Sequence, residues 1–227
     1  LRDHLAQAGI LAADDLDVPV EGARVAIQGF GKVGAAAAVA FTRLGCRVIA
    51  VSDADVAMVA PDGGFALDIL EDAAARSLPA AALAGEEIPR DDLLTIPCDV
   101  LIPAALGGAI HPGNAGQVDC RVILEGANAP VTLDAEQELL DRGITVVPDL
   151  LANAGGVVVS YFEWVQNLQH LHWDAGEVDE RLGRTMRRAW SELAEHAGEH
   201  DGRTLRESAY DLGVGRVAQA MTLRRSG

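Results

Sequence analysis

The feature that most constrains this chain is a glycine-rich loop joining a short apolar strand to a helix. An apolar run over 24–28 ends abruptly at Gly29, and apolar residues recur at helical spacing from 33 onwards. Gly29, Gly31 and Gly34 between them follow the spacing G-x-G-x-x-G. In this setting the first glycine permits a tight turn, the second lets backbone approach a pyrophosphate, and the third lets helix pack on strand.

The loop therefore predicts dinucleotide binding, because the free N–H groups of the first helical turn would bind the phosphates. The alternative is a glycine-rich turn of an ordinary open α/β protein. The candidate cofactor-binding residues of the loop are Gly29, Phe30, Gly31, Lys32, Val33 and Gly34.

Further apolar runs at 47–51, 100–102, 122–124 and 144–147 alternate with helix-compatible segments, which predicts an α/β fold with a doubly wound parallel, Rossmann-like sheet. Residues 79–90 show little regular pattern and are interpreted as a surface excursion. After residue 151 the chain becomes helical, and Tyr161, Trp164 and Leu168 share an apolar face. We expect one dinucleotide-binding domain over 1–227, with a core at 21–172, an N-terminal helix at 1–20 and flanking C-terminal helices at 173–227.

Composition excludes several classes of partner. The formal net charge of -16, without a basic run, disfavours nucleic acid and anionic membranes, and no apolar stretch reaches the roughly 18 residues of a membrane span. Cys46, Cys98 and Cys120 are odd in number and lie in apolar runs. Buried thiols in a reducing, cytoplasmic location are therefore expected, with no disulfide and no metal site.

Asp53 stands at the end of the second predicted strand, 24 residues after Gly29. An acid at this place can accept hydrogen bonds from both adenosine ribose hydroxyls and disfavours an added phosphate. The next basic residue along the chain is Arg76, so NAD is favoured over NADP. The alternative is an aspartate that caps the turn following the strand.

Two asparagines follow later strands. Asn128 comes after the strand at 122–124, and Asn153 comes after the strand at 144–147. Ligands of open parallel sheets bind outside the carboxyl ends of the strands, where both side chains are expected. Their amides can donate and accept at once, which suits a nicotinamide ribose or carboxamide. The alternative is a pair of turn asparagines bonded to their own backbone.

Four separated strings, at 25–31, 103–106, 125–128 and 152–167, resemble the cofactor domain of the glutamate, leucine, phenylalanine and valine dehydrogenase family. The resemblance implies that Ala104 and Ala105 line the path from adenosine to nicotinamide, and that Asn128 and Asn153 hold the nicotinamide end. Residues 160–164 are most similar to the glutamate dehydrogenases of the family. By that resemblance Val157 packs on the substrate.

Ser160 would then bond the distal carboxylate of glutamate. The alternative for Ser160 is a helix serine bonded to a carbonyl one turn back. A leucine- or phenylalanine-type dehydrogenase remains a second interpretation, and a non-catalytic nucleotide-binding module a third.

The implied parent enzyme is a homo-oligomer that interconverts glutamate and NAD with 2-oxoglutarate, ammonia and NADH. The family's catalytic lysine and aspartate belong to an N-terminal domain, expected upstream of residue 1, so no residue here is assigned as catalytic. Two positions depart from the family pattern. Lys32 stands where asparagine is common, and glycines at 107–108 replace a more polar pair. Lys32 could contact a cofactor phosphate, which weakens the preference for NAD.

Overall fold

The computed structural model describes residues 19–200 and 203–225, so the helix expected over 1–20 lies almost entirely outside the described residues. The described chain forms one seven-stranded sheet in the order β4-β3-β2-β1-β5-β6-β7. The strands are β1 (Arg24–Gln28), β2 (Arg47–Ser52), β3 (Val56–Val59), β4 (Glu86–Pro89), β5 (Val100–Pro103), β6 (Val122–Leu124) and β7 (Thr145–Val147). The α-helices are α1 (Lys32–Arg43), α2 (Leu67–Arg76), α3 (Leu133–Asp141), α4 (Asp149–Ala152), α5 (Gly155–Gln169), α6 (Ala175–Glu199) and α7 (Leu205–Arg225).

The predicted strand, helix, strand unit at the start of the sheet is confirmed. β1 pairs with β2 in parallel, and α1 connects them. The helix ends where a glycine permits it, because Gly45 has a φ of 88°, a conformation that side chains disfavour. The register between β1 and β2 shifts between Val25 and Ala26, which marks an irregularity in the ladder.

The sheet is mostly parallel, as the sequence predicts, but β3 runs antiparallel to both β2 and β4. Residues 79–90 lie mostly at the surface, as predicted, but the prediction missed β4, which lies there and forms one edge of the sheet. Glu86 and Glu87 are exposed on this strand. An edge strand exposed in this way need not show the apolar pattern by which buried strands are recognised.

Both faces of the sheet are covered, which confirms the doubly wound architecture. Val25 and Ile27 of β1 face one core, together with α1, α2 and α6, whereas Ala26 faces a second core with α3. Successive side chains of β1 thus point to opposite faces of the sheet and pack into two separate core layers. The first layer also holds the buried stripe of α6, formed by Leu182, Met186, Trp190 and Leu193.

The apolar face expected around Tyr161 exists on α5 but is exposed. Val157, Tyr161, Trp164 and Leu168 are 75%, 58%, 57% and 61% accessible. Among the described residues no helix is long and apolar enough to cross a membrane. The three cysteines are free, and Cys46 and Cys98 are buried.

We predict that Gly34→Ala disrupts the packing of α1 against the end of β1, because an added Cβ would lie 1.7 Å from the carbonyl oxygen of Gly29. The free energy of unfolding in urea should fall by about 3 kcal/mol or more. Gly31→Ala is the matched control, since its Cβ would meet nothing within 4 Å. Alanine is a poorer N-cap residue than glycine, so Gly31→Ala should lower the free energy of unfolding by about 1 kcal/mol or less. Equal losses in the two variants would contradict this account of the loop.

Candidate functional site

The site lies where the strand order reverses. From β1 the chain builds the sheet outwards through β2, β3 and β4, then returns to place β5 on the other side of β1. Connections therefore leave the carboxyl ends of β1 and β5 in opposite directions, and a crevice opens between them. In open α/β sheets, ligands bind at such a reversal.

The glycine loop opens this crevice. Gly29 has a φ of 96°, and a Cβ there would come within 2.9 Å of the Ala104 backbone and of Ala105 Cβ. Gly34 seats α1 against the loop, whereas the space beside Gly31 is open. The first and third glycines are therefore needed for packing, and the second leaves room for a ligand.

The N-terminus of α1 is free to receive an anion. Its N-cap, Gly31, provides no side-chain cap, and its first turn holds no acidic residue. The unpaired N–H groups and the positive end of the helix dipole therefore face the crevice without a competing carboxylate. Lys32 is the first residue of the helix and is exposed, which adds a cation at the same place.

A cavity of about 980 Å³ adjoins the loop between α1 and α2. Phe30, Lys32 and Val33 line it from the loop side, and Ser77 and Leu78 line it from the end of α2. Phe30 is buried, and Val33 is 43% accessible. Four of the six residues predicted from the glycine loop, 30–33, thus share one surface, with the open side of Gly31 in it, whereas Gly29 and Gly34 pack against neighbouring backbone.

Asp53 follows β2 as predicted, and its carboxylate holds the neighbouring loops. Oδ1 accepts hydrogen bonds from the N–H groups of Asp55 at 2.9 Å and Val56 at 3.1 Å, and Oδ2 accepts one from Ala80 at 2.7 Å. Burial raises the pKa of Asp53, but these backbone bonds outweigh it and the net pKa lies below the usual value. A carboxylate offers about four acceptor positions, so about one remains for a ribose hydroxyl. The turn-capping interpretation describes the geometry seen here.

The two predicted asparagines contact each other beyond the carboxyl ends of the neighbouring strands β6 and β7. Asn153 Nδ2 donates to Asn128 Oδ1 at 2.9 Å, although the residues are 25 positions apart. Asn128 is exposed and Asn153 is half-buried. The bond leaves the Asn128 amide group and the Asn153 carbonyl oxygen to face a ligand. Their proximity supports the prediction that both follow strands ending at one edge.

Ala104 and Ala105 lie between the two ends of the site. Ala104 N donates to Gln28 O at 2.7 Å, which fixes the end of β5 against the end of β1. A Cβ on Gly126 would lie 3.0 Å from Ala104 Cβ, so the β6 loop packs closely on the same residue. The alanines therefore form a narrow floor between the glycine loop and the asparagine pair.

Val157 and Ser160 lie on the first turns of α5, which begins two residues after Asn153. The Val157 side chain is 75% accessible. The Ser160 hydroxyl donates to Gly156 O at 3.0 Å, as in the alternative interpretation of this serine. The structure thus places both residues beside the asparagine end, and Ser160 has its hydroxyl turned to the helix backbone.

Behind the asparagines lies a buried ion cluster that the sequence analysis missed. Arg206 of α7 pairs with Glu125 at 2.7 Å, Glu136 at 2.6 Å and Asp149 at 3.4 Å. Arg206 and Glu125 are separated by 81 positions. No local spacing links the two residues, so no sequence signal indicated this pair. Burial raises the pKa of Glu125, and the hydrogen bonds from Arg206 oppose that rise.

Comparison with known proteins gives consistent matches over the chain. A family model described as Glutamate/Leucine/Phenylalanine/Valine dehydrogenase matches residues 6–225. Glutamate dehydrogenase of Thermotoga maritima is 42% identical over 215 residues, covering 94% of this chain and 51% of that protein. Two Halobacterium salinarum enzymes, NAD-specific glutamate dehydrogenase A and NADP-specific glutamate dehydrogenase A1, are 39% and 42% identical, covering 94% and 91% of this chain and 49% and 50% of theirs.

Solved structures agree. The hetero-hexameric glutamate dehydrogenase from Thermus thermophilus, in its Leu-bound form, matches with a TM-score of 0.88 at 33% identity, over 98% of this chain and 53% of that chain. The chain thus spans about half the length of the relatives it matches.

We predict that Asp53→Asn lowers the free energy of unfolding by about 2 kcal/mol at neutral pH, since an amide group would oppose the N–H of Ala80 and the bonds to a charged acceptor are lost. The pKa of Asp53 is lowered in the folded state, so its contribution is present above the unfolded pKa of about 3.9 and disappears as the pH falls through the folded pKa. Urea unfolding at pH 7, 5 and 3 measures this. The difference in free energy of unfolding between the unmodified chain and Asp53→Asn should be larger at pH 7 and 5 than at pH 3.

Asp55→Asn is the control for this measurement, because the same change of side chain is made two residues away at an exposed position. It should stay within about 0.5 kcal/mol of the unmodified chain at every pH. A constant difference between Asp53→Asn and the unmodified chain down to pH 3 would show that the charge of Asp53 contributes nothing.

Proposed function

Because the chain belongs to the glutamate, leucine, phenylalanine and valine dehydrogenase family, we propose that it is the cofactor-binding domain of an NAD-dependent glutamate dehydrogenase. The observation that carries the proposal is the uncapped N-terminus of α1, held beside an open Gly31 at the point where the strand order reverses. A bound pyrophosphate is the ligand that this arrangement fits best.

The remaining residues divide between the two halves of the dinucleotide. Asp53 would accept a hydroxyl of the adenosine ribose through its remaining acceptor position. Ala104 and Ala105 would let the ligand pass close to the backbone between β1 and β5. Asn128 and Asn153 would bond the nicotinamide ribose or carboxamide.

The charge beside the site favours NAD over NADP. The Asp53 carboxylate stays ionised to low pH, and a phosphate on the ribose it contacts would be repelled. Lys32 is the opposing influence, since it could pair with a phosphate at the glycine loop. Halobacterium relatives of both specificities match this chain, so the preference rests on Asp53 itself.

Glutamate is the proposed substrate of the whole enzyme, supported by relatives that are glutamate dehydrogenases. Val157 and Ser160 would contact the side-chain end of the substrate from the start of α5. Rotation about χ1 would free the Ser160 hydroxyl from Gly156 O to reach a carboxylate. When bound, the cofactor supplies the hydride acceptor, and this chain positions it and shields one side of it.

The Thermus thermophilus relative is a hetero-hexamer, which supports an oligomeric enzyme. We propose a homo-oligomer in the cytoplasm, where the buried, free thiols of Cys46 and Cys98 would stay reduced.

The proposal is tested by calorimetric titration of the chain with NADH and NADPH. NADH should bind more tightly, by about tenfold, because of repulsion between Asp53 and the added phosphate. Asp53→Ser should narrow the difference by removing the charge. Equal affinities, or tighter binding of NADPH, would contradict the proposed specificity and indicate that Lys32 attracts the added phosphate. Lys32→Asn should then lower the affinity for NADPH.

Gly31→Val is the control for the site of binding. Its side chain would fill the open space beside the loop without meeting the fold, so the variant should fold and lose measurable affinity for NADH. If the folded variant binds NADH as the unmodified chain does, the ligand lies elsewhere.

We also predict that the chain alone, saturated with NAD and supplied with glutamate, forms no NADH. Hydride transfer needs the reacting carbon held against the nicotinamide, together with a positioned base. The residues assigned to the nicotinamide end are two asparagines, a valine and a serine. The carboxylate of Asp53 is assigned to the adenosine end, and the single lysine of the sequence lies in the glycine loop. Absorbance at 340 nm measures the product. Glutamate-dependent formation that disappears in Gly31→Val would overturn the prediction.

A further inference from the structure

The buried ion cluster around Arg206 is built from three carboxylates and one guanidinium. The side chains of Arg206, Glu125 and Glu136 are 7%, 0% and 6% accessible, and that of Asp149 is 17% accessible. Arg206 pairs with each of these three acids. A buried cluster of this kind stabilises a fold no better than apolar side chains of the same volume, because desolvation of the charges offsets their attraction.

The hydrogen bonds of the cluster converge on the two loops that carry the asparagines. Glu125, three residues before Asn128, accepts from Val131 N at 3.2 Å and from Asp149 N at 2.8 Å. Asp149, one helical turn before Asn153, accepts from Ala129 N at 2.9 Å. Each loop is therefore bonded to the carboxylate at the base of the other.

Ala129 shows that this arrangement imposes a conformation. Its φ of 44° lies in the left-handed region, which a residue with a side chain adopts only when its surroundings require it. Ala129 directly follows Asn128, so the bond from its N–H to Asp149 fixes the direction in which the Asn128 side chain leaves the loop. The 2.9 Å bond between Asn128 and Asn153 depends on that direction.

We propose that Arg206 is a positioning residue, which holds the Asn128–Asn153 pair in the register that the nicotinamide half of the cofactor requires. Its guanidinium donates hydrogen bonds to three carboxylates, two of which belong to the asparagine loops. Without the guanidinium, the negative charges of Glu125 and Asp149 would repel each other and move the two asparagine loops apart. The last helix of the described chain thereby acts on a crevice that Arg206 itself does not enter.

This role of Arg206 rests on the proposed function. Titration with two ligands, ADP and NADH, distinguishes failure of that function from failure of the role of Arg206. ADP carries the adenosine and both phosphates, whereas NADH adds the nicotinamide riboside. In Arg206→Lys, the affinity for NADH should fall about tenfold while that for ADP changes less than twofold, because an ammonium cannot span three carboxylates. If the unmodified chain binds neither ligand, the proposed function fails. If it binds both and Arg206→Lys weakens both equally, or neither, the inference fails.

Leu182→Ala is the matched control for lost stability, since Leu182 on α6 is 2% accessible and lies in the core layer against which α7 packs, but it is apolar and carries no charge. It should lower the free energy of unfolding and leave the ratio of NADH to ADP affinity unchanged. A change of that ratio in Leu182→Ala would show that the ratio reports general loosening and would overturn the assignment.

A second variant and a spectroscopic measurement keep the inference testable should Arg206→Lys not fold. Asp149→Asn keeps the volume and weakens the link between Arg206 and the Asn128 loop, and it should show the same selective loss of NADH affinity. The side-chain amide resonances of Asn128 and Asn153 should shift in either variant. Those of Asn114, whose amide bonds Ala109 O, should not. Unshifted resonances of the asparagine pair with unchanged NADH affinity would refute the role of Arg206.

Discussion

The contact between Gly34 and the carbonyl oxygen of Gly29 sets the geometry on which the rest of this chain depends. Because no side chain separates them, α1 starts directly against the end of β1 and points its N-terminus across the reversal of strand order. The same turn places Gly29 against Ala104, which fixes the distance between β1 and β5. A single backbone contact thus determines both the anion-binding helix terminus and the width of the crevice that leads away from it.

The two ends of the crevice are built in different ways. At the phosphate end the chain offers backbone N–H groups and open space, which need no support beyond correct packing of α1. At the asparagine end it offers side chains on loops, and a loop side chain has a defined direction only where something behind it is rigid. Glu125, Asp149 and Arg206 form that support. The division explains why buried charge is concentrated beneath one end of the site.

The parts of this fold that follow from the sequence are those set by neighbours along the chain. The glycine spacing predicts the α1–β1 turn, and apolar runs predict β1, β2, β5, β6 and β7. The meeting of Asn128 with Asn153 follows from parallel strands ending at one edge. Long-range bonds leave no such signature: Asp53 reaches Ala80 across 27 positions, and Arg206 reaches Glu125 across 81. β4 escaped prediction because exposed edge residues carry no apolar period.

That edge has a consequence for how copies of the chain meet in solution. The terminal strand β7 contacts α7, whereas β4 ends the sheet with a row of backbone donors and acceptors that no further strand of the described residues pairs. Such rows join readily between molecules into extended sheets. Here the row is four residues long, ends in Pro89 and presents Glu86 and Glu87 on a protein of net charge -16. Two such edges brought together would oppose like charges across a short ladder broken by a proline, so the chain resists aggregation at the β4 edge.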